Sequence, residues 1–171
     1  DHEIQLSDIT YPWSEDKEVI PWIYAGAFLP NSQVFIKAFF KAISEIKASG
    51  EWEDHIKLYF VGTGAYPGKT ISHFSEEAGI EAFVVEDRAR YPYLLVLNFL
   101  SAANTVMVIG STEKHYTASK VYQALMSKRP VLAVFHQESS AVKVLNECNA
   151  NDYSTRYTDN MSEKDLIDYF K

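Results

Sequence analysis

Thr117, Ser119 and Lys120 stand together at the head of a segment whose small and apolar residues, Val121, Ala124 and Leu125, fall at helical spacing. Hydroxyls and an ammonium at the start of a helix make an anion site. The free N–H groups and the positive dipole end favour a phosphate, and the side chains add donors. The same residues would serve equally as ordinary N-caps beside a solvated lysine, so spacing alone leaves both uses open. A β-rich run, Val131 to Phe135, follows directly after the break at Ser127-Lys128-Arg129-Pro130. Glycines punctuate the chain at Gly26, Gly62-Thr63-Gly64 and Gly110-Ser111. Glycine there permits tight turns and close approach of a ligand to the backbone, and it also simply ends strands. His115, in the loop after Gly110, reads either as a polar contact in a site or as a solvated loop histidine.

Other chemistries are excluded by spacing. Gly62-Thr63-Gly64-Ala65-Tyr66-Pro67-Gly68 nearly spells a dinucleotide fingerprint, but its third glycine is one residue late and Pro67 interrupts the helix start. Gly68-Lys69-Thr70 lacks the upstream glycine of a P-loop. Histidines at 2, 55, 73, 115 and 136 show no ligand spacing and Cys148 is remote from them, so no metal and no resident cofactor is expected.

The chain has 171 residues, one domain's worth, with 47% hydrophobic and 23% charged residues, enough to bury a core. Its net charge of −7 argues against nucleic acid, which needs clustered Lys and Arg on the phosphate backbone. A single cysteine excludes an internal disulfide and suits a reducing, cytoplasmic setting. No apolar run is long enough to span a membrane. The start at Asp1-His2, without Met, reads as a piece of something longer.

Strand and helix patterns alternate along the chain. Strands are predicted at 21–26, 55–61, 80–85, 105–109, 131–135 and 153–157. Helices are predicted at 34–49, 70–78, 93–103, from Thr117, at 139–149 and at 162–170. This order implies parallel βαβ units with right-handed crossovers: an α/β, Rossmann-like, doubly wound, mostly parallel sheet of about six strands with helices on both faces. Strands such as Val106-Met107-Val108-Ile109 are apolar at every position, as burial of both sheet faces requires. Residues 1–20, acidic and carrying Pro12 and Trp13, read as a lead-in or linker, and 21–171 as the domain. In such a sheet the loops 26–30, 62–68, 86–92 and 110–117 open on one edge, where ligands bind.

In order along residues 20 to 150, three segments resemble the C-terminal domain of the GT-B glycosyltransferases, family 4-like. They are Tyr24-Ala25-Gly26 with its helix and Leu58 to Gly64, then "LLVLNFLSAANTVMVIG" from Leu94 to Gly110, then "SKVYQALMSKRPVLAVF" from Ser119 to Phe135. The resemblance implies that this domain holds a nucleotide-sugar donor, and that a cytoplasmic enzyme passes the sugar to a glycan, lipid or polysaccharide precursor. It implies a diphosphate against Gly26, Gly64, Ser111, Thr117, Ser119 and Lys120. It places the base near Arg88 and Tyr91, and the ribose or sugar near Gln123, Glu113 and His115. An N-terminal domain of the same chain would bind the acceptor, leaving this piece inactive alone. Lys120 is expected to face solvent in the cleft. The family's usual ribose-binding Glu is Gln123 here, its Arg and Lys after the first strand have no match in Ala27 to Ser32, and its usual Gly is Lys128. Two further readings stay open: a sugar-nucleotide epimerase of the same fold, and a degenerate, non-catalytic domain.

Overall fold

The computed structural model describes residues 9–16, 18–65, 67–115 and 119–171. Six parallel strands run in the order β3-β2-β1-β4-β5-β6: β1 (Ile20–Ala25), β2 (Ile56–Val61), β3 (Val84–Asp87), β4 (Thr105–Ile109), β5 (Val131–His136) and β6 (Ser154–Tyr157). Between and after them come α1 (Gln33–Ser49), α2 (Ile71–Ala78), α3 (Tyr93–Ala102), α4 (Lys120–Met126), α5 (Ser140–Glu147) and α6 (Glu163–Tyr169).

Alternation along each strand divides the core into two layers. Tyr24, Leu58, Phe60, Met107, Ile109 and Val134 face α1, α2 and α6. Ile23, Tyr59, Val61, Val106, Val108, Ala133 and Phe135 face α3, α4 and α5. The local stops are those the sequence carries. Gly50 closes α1 in the left-handed region at φ 79, Thr70 caps α2 by accepting from the His73 amide, and Ser162 with Asp165 forms a capping box on α6.

The third strand differs from its predicted span. Ile80 and Phe83 are buried, but on a 3-10 turn at Glu81–Phe83, and the strand follows it as Val84–Asp87. An edge strand needs apolar residues on only part of its length, so Glu86 and Asp87 can end it facing the strand-end loops. The last helix before β5 starts at Lys120, and Thr117 lies outside the described residues.

The described part of the lead-in packs on the domain. Trp13 stacks on Tyr11 at 5.5 Å between ring centroids and meets the Tyr59 ring edge-on at 5.4 Å. Asp16 accepts hydrogen bonds from Lys57 Nζ at 3.0 Å and Tyr59 Oη at 3.1 Å. Those bonds hold the Asp16 carboxyl below its usual range, and burial together with Asp16 pushes the Tyr59 phenol up.

The sheet has one thin join. β1 registers with β2 from Ile20↔Ile56 to Ala25↔Val61, whereas β1 and β4 register only at Trp22↔Thr105 and Ile23↔Val106. This join is the switch point, because the chain winds outward in one direction from β1 and in the other from β4.

Candidate functional site

Where neighbouring strands diverge at a switch point, their carboxyl-end loops part and leave a crevice. A cleft of about 330 Å³ opens there, lined by Gly26 after β1, Gly62 after β2, Arg90, Tyr91 and Tyr93 at the head of α3, and Ser119, Lys120 and Gln123 at the head of α4. Sequence reasoning had placed Gly26, Tyr91, Ser119, Lys120 and Gln123 in one site, and the fold brings these five to one cavity.

Lys120 does not face solvent as expected. From α4, on one face of the sheet, its side chain passes over the end of β1 to Tyr24, which belongs to the opposite core layer. Its Nζ donates to Tyr24 Oη at 2.7 Å and to the Ala27 carbonyl at 3.1 Å, and it lies 4.5 Å from the centre of the Tyr24 ring. The Tyr24 hydroxyl in turn donates to the same Ala27 carbonyl at 2.7 Å. Gly26, at φ 132, makes the passage possible: a Cβ there would stand 2.3 Å from Lys120 Cε. Among the described residues no carboxylate reaches the ammonium. Burial alone therefore pulls it down to about 8.

The rest of the expected site divides between two other places. Gly64 and Arg88 line a separate notch of about 20 Å³, room for about one water. Arg88 Nε donates to the Gly64 carbonyl at 2.7 Å, so its direction is set by the backbone of the loop after β2. Deeper in this region Glu86 accepts from Thr63 Oγ1 at 2.7 Å and from both the amide and the hydroxyl of Ser72 at 2.9 Å. The N-terminus of α2 is thereby occupied by the chain's own carboxylate. The glycine-rich loop that nearly matched a dinucleotide fingerprint leads into that closed helix end.

Ser111, Glu113 and His115 lie beyond β4. Ser111 is buried, and its Oγ accepts from the Glu113 amide at 3.1 Å. Glu113 accepts from Asn31 Nδ2 at 2.7 Å, and Ser32 Oγ donates to the Gly110 carbonyl at 2.6 Å. These bonds tie the loop after β4 to the loop after β1 across the thin join. His115 is exposed.

Tyr91 donates to the Asp87 carboxylate, and its ring sits edge-on to Phe99 at 5.3 Å. That hydrogen bond, with burial, raises the phenol to about 12. Its hydroxyl is committed to Asp87, which leaves the ring as the surface it presents to the cleft. Sequence reasoning missed Arg90, Tyr93 and Tyr24. Arg90 is the arginine that lines the cleft, and it has no hydrogen-bond or ion-pair partner among the described residues. Its signal was the pair Arg88-Ala89-Arg90: residues two apart share one face of an extended strand, and the bend at Ala89 sends these two to different cavities.

The arrangement can hold an anion beside a flat, partly apolar group. A part-buried ammonium with no carboxylate partner among the described residues supplies the charge, an exposed arginine adds a second, and Tyr91, Tyr93 and Val96 supply stacking and apolar surface. Among the described residues no cluster of His, Cys, Asp or Glu could hold a metal ion.

No family model matches the chain, and no curated protein matches it either. Solved structures do. The chain aligns with the crystal structure of WaaG, a glycosyltransferase involved in lipopolysaccharide biosynthesis, at TM-score 0.62 and 13% identity, covering 90% of this chain and 37% of that one. It aligns with the trehalose-6-phosphate synthase OtsA at 0.59 and 11%, covering 92% and 39%. A UDP-forming trehalose-phosphate synthase from Burkholderia xenovorans gives 0.60 and 10%, covering 90% and 35%. The chain thus spans well under half the length of these proteins. At such identities the likeness is one of fold, and that fold is the Rossmann-like layer of the GT-B glycosyltransferases.

Proposed function

We propose that this chain is the donor-binding part of a glycosyltransferase, family 4-like, that transfers a sugar from a nucleotide-sugar to a glycan, lipid or polysaccharide precursor. The observation that carries the reading is Lys120. A part-buried ammonium with no carboxylate partner among the described residues, held at the switch point by a glycine that gives it room, is a charge in want of an anion. A nucleoside diphosphate leaving group supplies one. In this reading Lys120 stabilises the departing diphosphate, and does so strongly because the site is partly shielded from water. Arg90 adds charge from the rim, Tyr91 and Tyr93 pack against the base or sugar, and Gln123 bonds a hydroxyl. The likeness to structures such as the E. coli trehalose-6-phosphate protein bound with UDP-2-fluoro glucose supports the choice of ligand class. The acceptor and any catalytic base belong to an N-terminal domain of the same, cytoplasmic enzyme.

A non-catalytic nucleotide-sugar-binding domain is the second reading. It is favoured by the neutral Gln123 and by a Lys120 whose donors are turned to Tyr24 and Ala27. Calorimetric titration with UDP, GDP, ADP and their sugars tests the common element. Selective binding of one nucleotide that Lys120→Met weakens at least tenfold is the expected result. No binding of any at millimolar concentration, or unchanged binding in Lys120→Met, overturns it.

A further inference from the structure

We infer that Lys120 is a site of covalent modification, whose amine condenses with small aldehydes or ketones carrying a phosphate and forms an imine in the cleft. What singles it out among the described lysines is the company its nitrogen keeps. Lys57, Lys69, Lys114, Lys143 and Lys171 each form an ion pair with a carboxylate. A carboxylate neighbour favours the protonated form, and a protonated amine has no electron pair to give. Lys120 has neutral acceptors instead, the Tyr24 hydroxyl at 2.7 Å and the Ala27 carbonyl at 3.1 Å. Burial opposes its charge with no carboxylate among the described residues to offset it, and the proton leaves at about 8. A desolvated lysine of this kind is the usual starting point for imine chemistry.

The geometry leaves the nitrogen one position for chemistry. Of its four tetrahedral directions one is the stem, and two hold the bonds to Tyr24 and Ala27. The fourth has no partner among the described residues, and Lys120 lines the cleft, so that direction is left for what enters there. Gly26 keeps it uncovered, since a Cβ at that position would stand 2.7 Å from Nζ. No carboxylate lines the cleft and Arg90 does, which draws in a carbonyl compound that bears an anion. In the step itself the Nζ electron pair forms a bond to the carbonyl carbon, and the π pair moves to oxygen. Both amine hydrogens then leave with that oxygen as one water, giving C=N. The Tyr24 hydroxyl, hydrogen-bonded to the amine, is placed to relay one of those protons. No oxidant or reductant enters. The inference does not depend on the cleft's own ligand being a nucleotide, because it uses only the amine, its acceptors and the charge around them.

Short incubation with glyceraldehyde 3-phosphate, trapping with cyanoborohydride and peptide mass spectrometry test it, the other lysines serving as internal controls in the folded protein. At pH 7.5 the neutral fraction of Lys120 is on the order of a hundredfold above that of a lysine titrating near 10.4. A less basic amine attacks more slowly, as thiols of lower pKa do, so the expected labelling rate is about tenfold or more above the mean of the others. Its rate levels off above pH 8 or so, where the amine is already neutral, while theirs keep climbing about tenfold per pH unit. Glyceraldehyde without the phosphate labels Lys120 several-fold more slowly, and Arg90→Ala narrows that difference. A Lys120 labelled no faster than the other lysines, or one whose rate climbs in parallel with theirs through pH 9, overturns the inference. Equal rates with and without the phosphate overturn the ligand class.

Discussion

Gly26 and Lys120 occupy one space: the Lys120 side chain passes where a Cβ of residue 26 would begin, 2.3 Å from its Cε and 2.7 Å from its Nζ. Gly26→Val therefore does two things at once. It forces a branched residue into φ 132, and it expels the lysine from Tyr24 and Ala27. Expected is a loss of about 2–3 kcal/mol in denaturant unfolding, together with loss of nucleotide binding. Lys120→Met separates the two effects. It keeps the stem and removes the buried charge, so binding falls while the melting temperature holds or rises.

The low position of Lys120, about 8, predicts a pH dependence of definite sign. An unfolded lysine titrates near 10.4, so between roughly 8 and 10.4 the unfolded chain holds the extra proton and the stability of the free protein rises with pH. Below about 8 both states are protonated and the burial penalty is complete. Ligand binding runs the other way. An anion holds the proton on Lys120, so nucleotide affinity is level below about 8 and drops up to tenfold per pH unit above it. NMR of ¹³C-labelled lysine should show one resonance titrating near 8 that moves upward on nucleotide addition and is missing in Lys120→Met. A full set of lysines titrating above 10 would contradict the buried placement.

Gln123 shares the cleft with Lys120, one turn along the same helix. Gln123→Glu gives a ribose hydroxyl a charge-assisted acceptor and is expected to strengthen nucleotide binding or leave it unchanged. Gln123→Leu removes the acceptor and weakens binding by about fivefold, the worth of one ordinary hydrogen bond. Its melting temperature stays within a degree or two, since the side chain has no partner among the described residues. Isothermal titration beside thermal melts reads both; a change confined to the melts assigns Gln123 to packing alone.

The lead-in gives a stability prediction. Trp13 meets the rings of Tyr11, Tyr59 and Phe99, and Asp16 ties the same segment to Lys57 and Tyr59. Trp13→Ala is expected to cost about 2–3 kcal/mol in urea unfolding, the lower part of the range for large aromatic truncations because the side chain is half-buried. If the loss is within experimental error, the segment is a mere tether.

The layered order was legible because parallel strands covered on both faces have to be apolar at every step, as Val106 to Ile109 are, and because Gly50, Thr70 and Ser162 are unambiguous stops. β3 was misplaced because Ile80 and Phe83 bury their side chains from a 3-10 turn, and burial alone does not distinguish that from a strand. The lead-in's packing on the domain went unseen because its acidic residues outweighed two aromatics whose partners lie far along the chain. For the site, residue types were readable and directions were not. Nothing in the spacing tells that Lys120 crosses to Tyr24, that Arg90 rather than Arg88 turns into the cleft, or that Glu86 closes the end of α2.

The short ladder between β1 and β4 has a mechanical consequence. Only two residue pairs register there, so beyond the shared core the β3-β2-β1 and β4-β5-β6 halves are also sutured from above, by Lys120 to Ala27, Ser32 to Gly110 and Asn31 to Glu113. A ligand seated in the cleft touches loops from both halves and acts as a splint across the seam. Ligand binding should then slow exchange of the Asn104 amide hydrogen, which donates across the join to the Pro21 carbonyl at 2.9 Å, by a larger factor than exchange within the β1–β2 ladder, which is already continuous. The candidate cleft and the thinnest join of the sheet are the same place, and occupancy would be felt as stiffness.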